Sequence, residues 1–193
     1  MNEREDCEAG KIMYGLVNRA LQSLVIQKLG QDAWREICET AQLEAHNFVN
    51  FMPYPDDVTY RLAAVAARKM NQTVDQVLEA FGEHWILFTA EEGYGDLMRM
   101  CGNTLVEFLT NLNSLHARIQ LIHPNLRPPQ IICSDIQKNS LKLSYYSTRP
   151  GLAAMVVGLL KGLGKRFGVS LTITLVRSRE QGCDHDEFEL RFS

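Results

Sequence analysis

The sequence predicts an α+β fold: about six or seven helices, followed by a four-stranded antiparallel sheet with a helix packed across it. Three observations carry this. As far as Ile122, apolar residues recur three and four apart, the spacing of one helix face. From Gln130 the period drops to two, in "QIICSDI" and "SLKLSYYST" and again in "SLTITLVRS" and "DEFELRF". Between the second and third of these strands, "GLAAMVVGLLKGLGKRFG" returns to helical spacing.

The elements follow in order. From Met13 to about Gly30, Leu16, Ala20 and Leu24 run beside Val17 and Leu21, and a glycine ends the helix. A second helix holds Trp34 and Ile37. "PYPDDVTYRLAAVAARKM" starts a third, with Pro55 ahead of an N-cap at Asp56 or Asp57. Thr73 caps "VDQVLEAFGEHWILFTAEE", which "EEGYGDL" breaks. Asn103 or Thr104 caps "NTLVEFLTNLNSLHARIQLI", and the prolines of "HPNLRPPQ" cannot continue it. "QKNS" is the turn between the first two strands. "GLGKRFG" ends a helix instead of opening one after a strand, so it is no dinucleotide loop.

Composition narrows the function. The chain has 193 residues, enough for one sizeable core, with 46% apolar and 22% charged residues. A net charge of −3 argues against nucleic acid or an anionic membrane as partner. No apolar run can span a bilayer, Lys161 interrupting the longest. The polar, acidic start is not a signal peptide, which places the protein in the cytoplasm. Five scattered cysteines without a C-x-x-C fit reduced thiols. Cys183 and His185 have the spacing of two metal ligands but lack a second pair nearby.

Two stretches carry candidate chemistry. In the helix ending at Ile122, Glu107, Asn111, Ser114 and Arg118 form a polar stripe opposite Leu105, Phe108, Leu109, Leu112, Leu115 and Ile119. His116 sits in the apolar face, one turn from Leu112. It is either a core histidine bonded to a backbone carbonyl or an axial ligand of the kind that holds haem iron. His84, one turn after Phe81 and beside Trp85, competes, and periodicity does not choose between the two. His46 and His123 in loops, and His185 near a turn, read as solvent-exposed. In "LSYYSTRPG" the alternation puts Tyr145, Ser147 and Arg149 on one face after Leu141 and Leu143. That face is either solvated or aimed at a buried dianion, for which a guanidinium fork is well suited. One imidazole, one donor strand and several apolar helices together describe a haem site.

From Met13 to the C-terminus the chain resembles the H-NOX (haem–nitric oxide/oxygen binding) family. The residues that carry the resemblance are "MYGLVN", "EEGYG", "LHAR" around His116, "LRPP", and Y-x-S-x-R as Tyr145-Tyr146-Ser147-Thr148-Arg149. The resemblance implies haem b buried between the helical part and the sheet. It makes His116 the proximal iron ligand and Tyr145, Ser147 and Arg149 the propionate donors. Val17 and Pro129 match positions that press on the haem, and Trp85, Leu112 and Met155 belong to its pocket. Oxygen-binding members carry a distal tyrosine where this chain has Met155. Methionine cannot donate to bound oxygen, whereas the indole N–H of Trp85 can. The implied function is a non-enzymatic gas sensor for NO and CO that excludes oxygen. It signals to a separate histidine kinase or cyclic-dinucleotide enzyme, since the chain ends where the haem domain, residues 13–193, ends. Residues 1–12 are an extension outside the family pattern. The rivals are an oxygen sensor or store using Trp85, a pocket for an acidic lipid or pigment without haem, and a haem enzyme.

Overall fold

The computed structural model describes residues 12–44, 46–124 and 126–193, with backbone alone for 89–93. All but Ile12 of the N-terminal extension, Cys7 included, lies outside these residues. The elements are β1 (Ile12–Tyr14), α1 (Gly15–Leu29), α2 (Gln31–Thr40), β2 (Pro53–Pro55), α3 (Asp56–Met70) and α4 (Val74–His84). A π turn (Trp85–Thr89) leads into α5 (Ala90–Arg99), and α6 spans Leu105–Ile122. Strands β3 (Gln130–Gln137) and β4 (Ser140–Tyr146), α7 (Ala153–Phe167), β5 (Leu171–Arg177), a 3-10 turn (Arg179–Gln181) and β6 (Asp186–Phe192) complete the chain. This is the α+β arrangement expected: seven helices among the described residues, and an antiparallel sheet in the order β3-β4-β6-β5. No helix among them is long and apolar enough to cross a membrane.

Two caps are as read. Thr73 and Gln76 form a reciprocal capping box at α4, and Thr104, not Asn103, does the same with Glu107 at α6. Glu107, read as part of a polar stripe, is therefore a capping residue. At α3 the N-cap is Pro55, and Asp56 and Asp57 lie in the first turn, where carboxylates suit the helix dipole.

Two expectations fail. The first helix does not begin at Met13, because residues 12–14 pair antiparallel with Pro53–Pro55. Gly15 then opens α1 in a space where a Cβ would lie 2.1 Å from the Val49 carbonyl oxygen. "EEGYGDL" does interrupt the helical path, as expected. The backbone widens into the π turn, re-enters α5, and departs from helical angles at Tyr94 (φ −139°, ψ 19°). The second failure is that β4 stops at Tyr146, so Ser147 and Arg149 lie on the turn beyond it.

The core has two parts. Leu21, Trp34, Ile37, Leu62 and Phe81 pack among the helices, and Phe108, Leu141, Phe188 and Leu190 pack beneath the sheet. Trp85 touches both. Helix α7 spans them, lying so close to α4 that a Cβ on Gly158 would sit 1.9 Å from the Glu79 carbonyl oxygen.

Candidate cofactor site

A cavity of ≈ 290 Å³ lies between the helical part and the sheet, near the low end of the roughly 300–1,000 Å³ usual for ligand pockets. Its wall is mostly aliphatic and aromatic, with Leu109 and Leu115 from α6, Leu143 from β4 and Leu159 from α7. His116 enters it from α6. The helical period that buries Leu115 and Ile119 carries the ring to the same side. Its Nδ1 is buried and makes no well-formed hydrogen bond. Burial pushes the imidazole pKa below its usual value, and the Pro129 carbonyl pulls it back by less. The ring is thus neutral near pH 7, the form that ligates metals. His84 lies elsewhere. Its Nε2 is 3.1 Å from the Ser23 hydroxyl, and its ring stacks on Phe88 outside the cavity.

The donor strand is not a solvated face. Leu141, Leu143 and Tyr145 are all buried, and Tyr145 and Arg149 line the cavity. Burial raises the Tyr145 phenol pKa, against the opposing pull of the Ser147 hydrogen bond and the Arg149 charge. Arg149 is only 11% exposed and is held from three elements. Its Nε donates to Asp56 Oδ2 (3.0 Å), Nη1 to the Arg127 carbonyl (3.0 Å) and Nη2 to the Ile12 carbonyl (2.7 Å). A guanidinium has five N–H groups, so donors remain for a carboxylate. Ser147 does not line the cavity. Its hydroxyl accepts from the Arg149 backbone N–H at 3.1 Å, which shapes the turn.

Val17, Trp85, Leu112, Pro129 and Met155 all line the same cavity. The structure therefore brings together every sequence-predicted site residue except Ser147. Asp56, the ion-pair partner of Arg149, was read only as a helix cap, since nothing local marks a pairing across 93 residues. His123, read as an exposed loop residue, caps α6, stacks on Phe51 at 4.7 Å and lines the cavity. Arg127 also reaches it, with "LRPP" as the available signal. His185, read as exposed, is buried, stacked on Tyr146 at 4.5 Å, with Nδ1 2.6 Å from Asp184 Oδ1.

A group that suits this lining is largely apolar, offers a metal to the His116 imidazole and presents carboxylates to Tyr145 and Arg149. Haem meets these conditions, and the fit rests on the buried His116 imidazole, whose Nδ1 makes no well-formed hydrogen bond, among apolar walls.

Comparison with known proteins agrees. The Haem-NO-binding family model matches residues 14–175. Soluble guanylate cyclase gcy-32 of Caenorhabditis elegans is 34% identical over 90% of this chain and 26% of its own length. Soluble guanylate cyclase 89Db of Drosophila melanogaster is 23% identical over 89% of this chain and 26% of its own length. The chain thus spans about a quarter of the curated relatives it matches. Among solved structures, an H-NOX protein from S. oneidensis in the Fe(II)NO state superposes with a TM-score of 0.86 at 19% identity, over 94% of this chain and 99% of that one. Unliganded Fe(II) H-NOX from K. algicida does so at 0.82 and 22%, over 94% and 97%. At such identity these two show a shared fold. With the family model covering most of the chain, the protein belongs to the Haem-NO-binding, or H-NOX, family.

Proposed function

We propose that residues 13–193 form a haem b gas sensor that takes NO and CO, excludes oxygen, and passes its signal to an output enzyme in the cytoplasm, with residues 1–12 as an extension. The observation that carries this is the buried His116 imidazole in a mostly apolar cavity that Tyr145 and Arg149 also line. When bound, haem would supply a ferrous metal centre able to take a diatomic gas. His116 supplies the imidazole. Tyr145 and Arg149 orient the carboxylates, with Ser147 shaping the turn behind them. Val17 and Pro129 would pack against the group, Leu112 would pack beside His116, and the apolar walls would exclude water. Met155, on α7, offers no hydrogen-bond donor, which disfavours oxygen more than NO or CO.

The signal leaves through α6. Asn113, one turn before His116, donates Nδ2 to the Ile131 carbonyl (2.5 Å) and accepts from the Ile131 N–H (3.0 Å). Any shift of His116 along or across its helix axis is thereby handed to β3. A gas must favour one position of this coupled pair over the other to act as a signal. The curated relatives are named soluble guanylate cyclases, which makes a nucleotide-cyclising enzyme an output alongside a histidine kinase or a cyclic-dinucleotide enzyme.

One observation favours a second reading. Trp85 lines the cavity, and its indole N–H is the donor an oxygen sensor needs. Absorption spectra of the purified ferrous protein, in air and then with NO, decide. Five-coordinate haem unchanged by air and altered by NO is the expected result. A stable oxygen complex would sink the NO-selective reading, and absence of haem uptake would sink both.

A further inference from the structure

The turn after β4 is braced by the loop joining β5 to β6. Arg179 Nη1 donates to the carbonyl oxygens of Ser147 at 2.6 Å and Arg149 at 3.2 Å. One rigid guanidinium on two carbonyls two residues apart fixes the peptide planes between them, and with those the directions in which the Ser147 and Arg149 side chains leave the backbone. The arginine is itself held. Buried Asp186 accepts from the Arg179 backbone N–H at 2.9 Å, and buried Ser178 accepts from the Glu180 N–H at 3.2 Å. Gly182 then turns the chain at φ 90°. From the other side of the turn, the same loop lays the His185 ring on Tyr146. The guanidinium charge also reaches Tyr145, where it favours negative charge nearby. The bracing residues Ser178, Arg179, Gly182, His185 and Asp186 all lie beyond residue 175, where the family match ends.

We propose that Arg179 is a positioning residue for the carboxylate-binding turn, holding the backbone of Ser147 and Arg149 so that the Arg149 side chain meets the cofactor's carboxylates, without itself touching the cofactor. The inference rests on the haem reading above.

The test uses the full chain loaded with haem or with haem dimethyl ester, whose carboxylates are capped. Cofactor transfer to excess apomyoglobin is timed for wild type, Arg179→Met and Arg179→Lys, with urea unfolding of each cofactor-free chain alongside. Arg179→Met is expected to speed the loss of haem about tenfold, the effect of one charge-assisted hydrogen bond, and to change the loss of the diester less than about twofold. Arg179→Lys should recover part of the difference by offering N–H donors to the same two carbonyls. It also reads the same ratio between cofactors should the methionine variant fail to fold. Equal acceleration with both cofactors would make Arg179 a general brace of the fold, and no acceleration with either would make it a bystander. Either result overturns the proposal. A wild-type chain that takes up neither cofactor overturns the haem reading, and this inference with it.

Discussion

Replacing Asn113 by alanine should uncouple the His116 helix from the sheet at a measurable cost. β3 is an edge strand, so its outward-facing backbone groups have no strand to pair with. At Ile131, which is buried, the Asn113 amide takes the place of that strand with two hydrogen bonds. Alanine removes both, at about 1 kcal/mol each net, and leaves an N–H and a C=O short of partners, at about 1–3 kcal/mol each where water cannot reach. Asn113 itself is solvent-exposed, so water can replace part of the loss. The expected destabilisation is therefore about 2–4 kcal/mol. In a domain of this size that lowers Tm by roughly 5–15 °C. Urea and thermal unfolding of the cofactor-free chain measure it. In the loaded chain, hydrogen exchange at β3 amides should respond less to NO in Asn113→Ala than in wild type. A stability loss under about 0.5 kcal/mol, or an unchanged NO response at β3, would show that the amide pair neither supports the strand nor transmits motion.

Four further outcomes are expected. His116→Ala should lose most haem, with binding partly restored by free imidazole, whereas His84→Ala should keep a wild-type spectrum. Arg149→Ala should cost about 3–5 kcal/mol of stability by leaving Asp56 nearly buried and alone, and the double variant with Asp56→Ala should recover much of that stability yet still retain haem less well than Ser147→Ala, as haem-transfer rates report. Met155→Tyr should raise oxygen affinity about tenfold by adding a donor, and Trp85→Phe should leave wild-type gas binding nearly unchanged, both read by absorption titration. Gly158→Ala should destabilise by at least about 1–3 kcal/mol in urea, because its methyl group would overlap the Glu79 carbonyl of α4.

What could be read from the residues was whatever repeats or caps locally. The apolar period of α6, the Thr73 and Thr104 caps and the strand alternation through Leu141, Leu143 and Tyr145 all depend on neighbours a few positions away, and all stand in the structure. The choice between His84 and His116 did not follow from periodicity, because both lie near an apolar face. What separates them is which face meets the cavity, a property of how α4 and α6 pack. Ile12–Tyr14 paired with Pro53–Pro55 escaped because three residues show no period and their partners are about forty positions away. Arg149 was legible as a donor, but Asp56 and Arg179 were not legible as its supports, since a contact across the fold leaves no mark on the local pattern. The π turn escaped because no residue pattern in "WILFT" separates an i→i+5 turn from a continuing α-helix.

That π turn bears on how genes of this kind can diverge. Inserting or deleting one codon within an α-helix rotates everything beyond it by about 100°, which usually ruins the packing of one side or the other. A turn closed by i→i+5 bonds already holds one residue more than an α turn needs. Loss of a codon between 85 and 89 can therefore be absorbed by tightening that turn, with α4 and α5 keeping their registers. Trp85 and Ile86, which face the cavity, sit in this stretch. The gas-facing wall can thus be altered by changing the length of the chain as well as its letters, at a place where such a change spares the rest of the molecule.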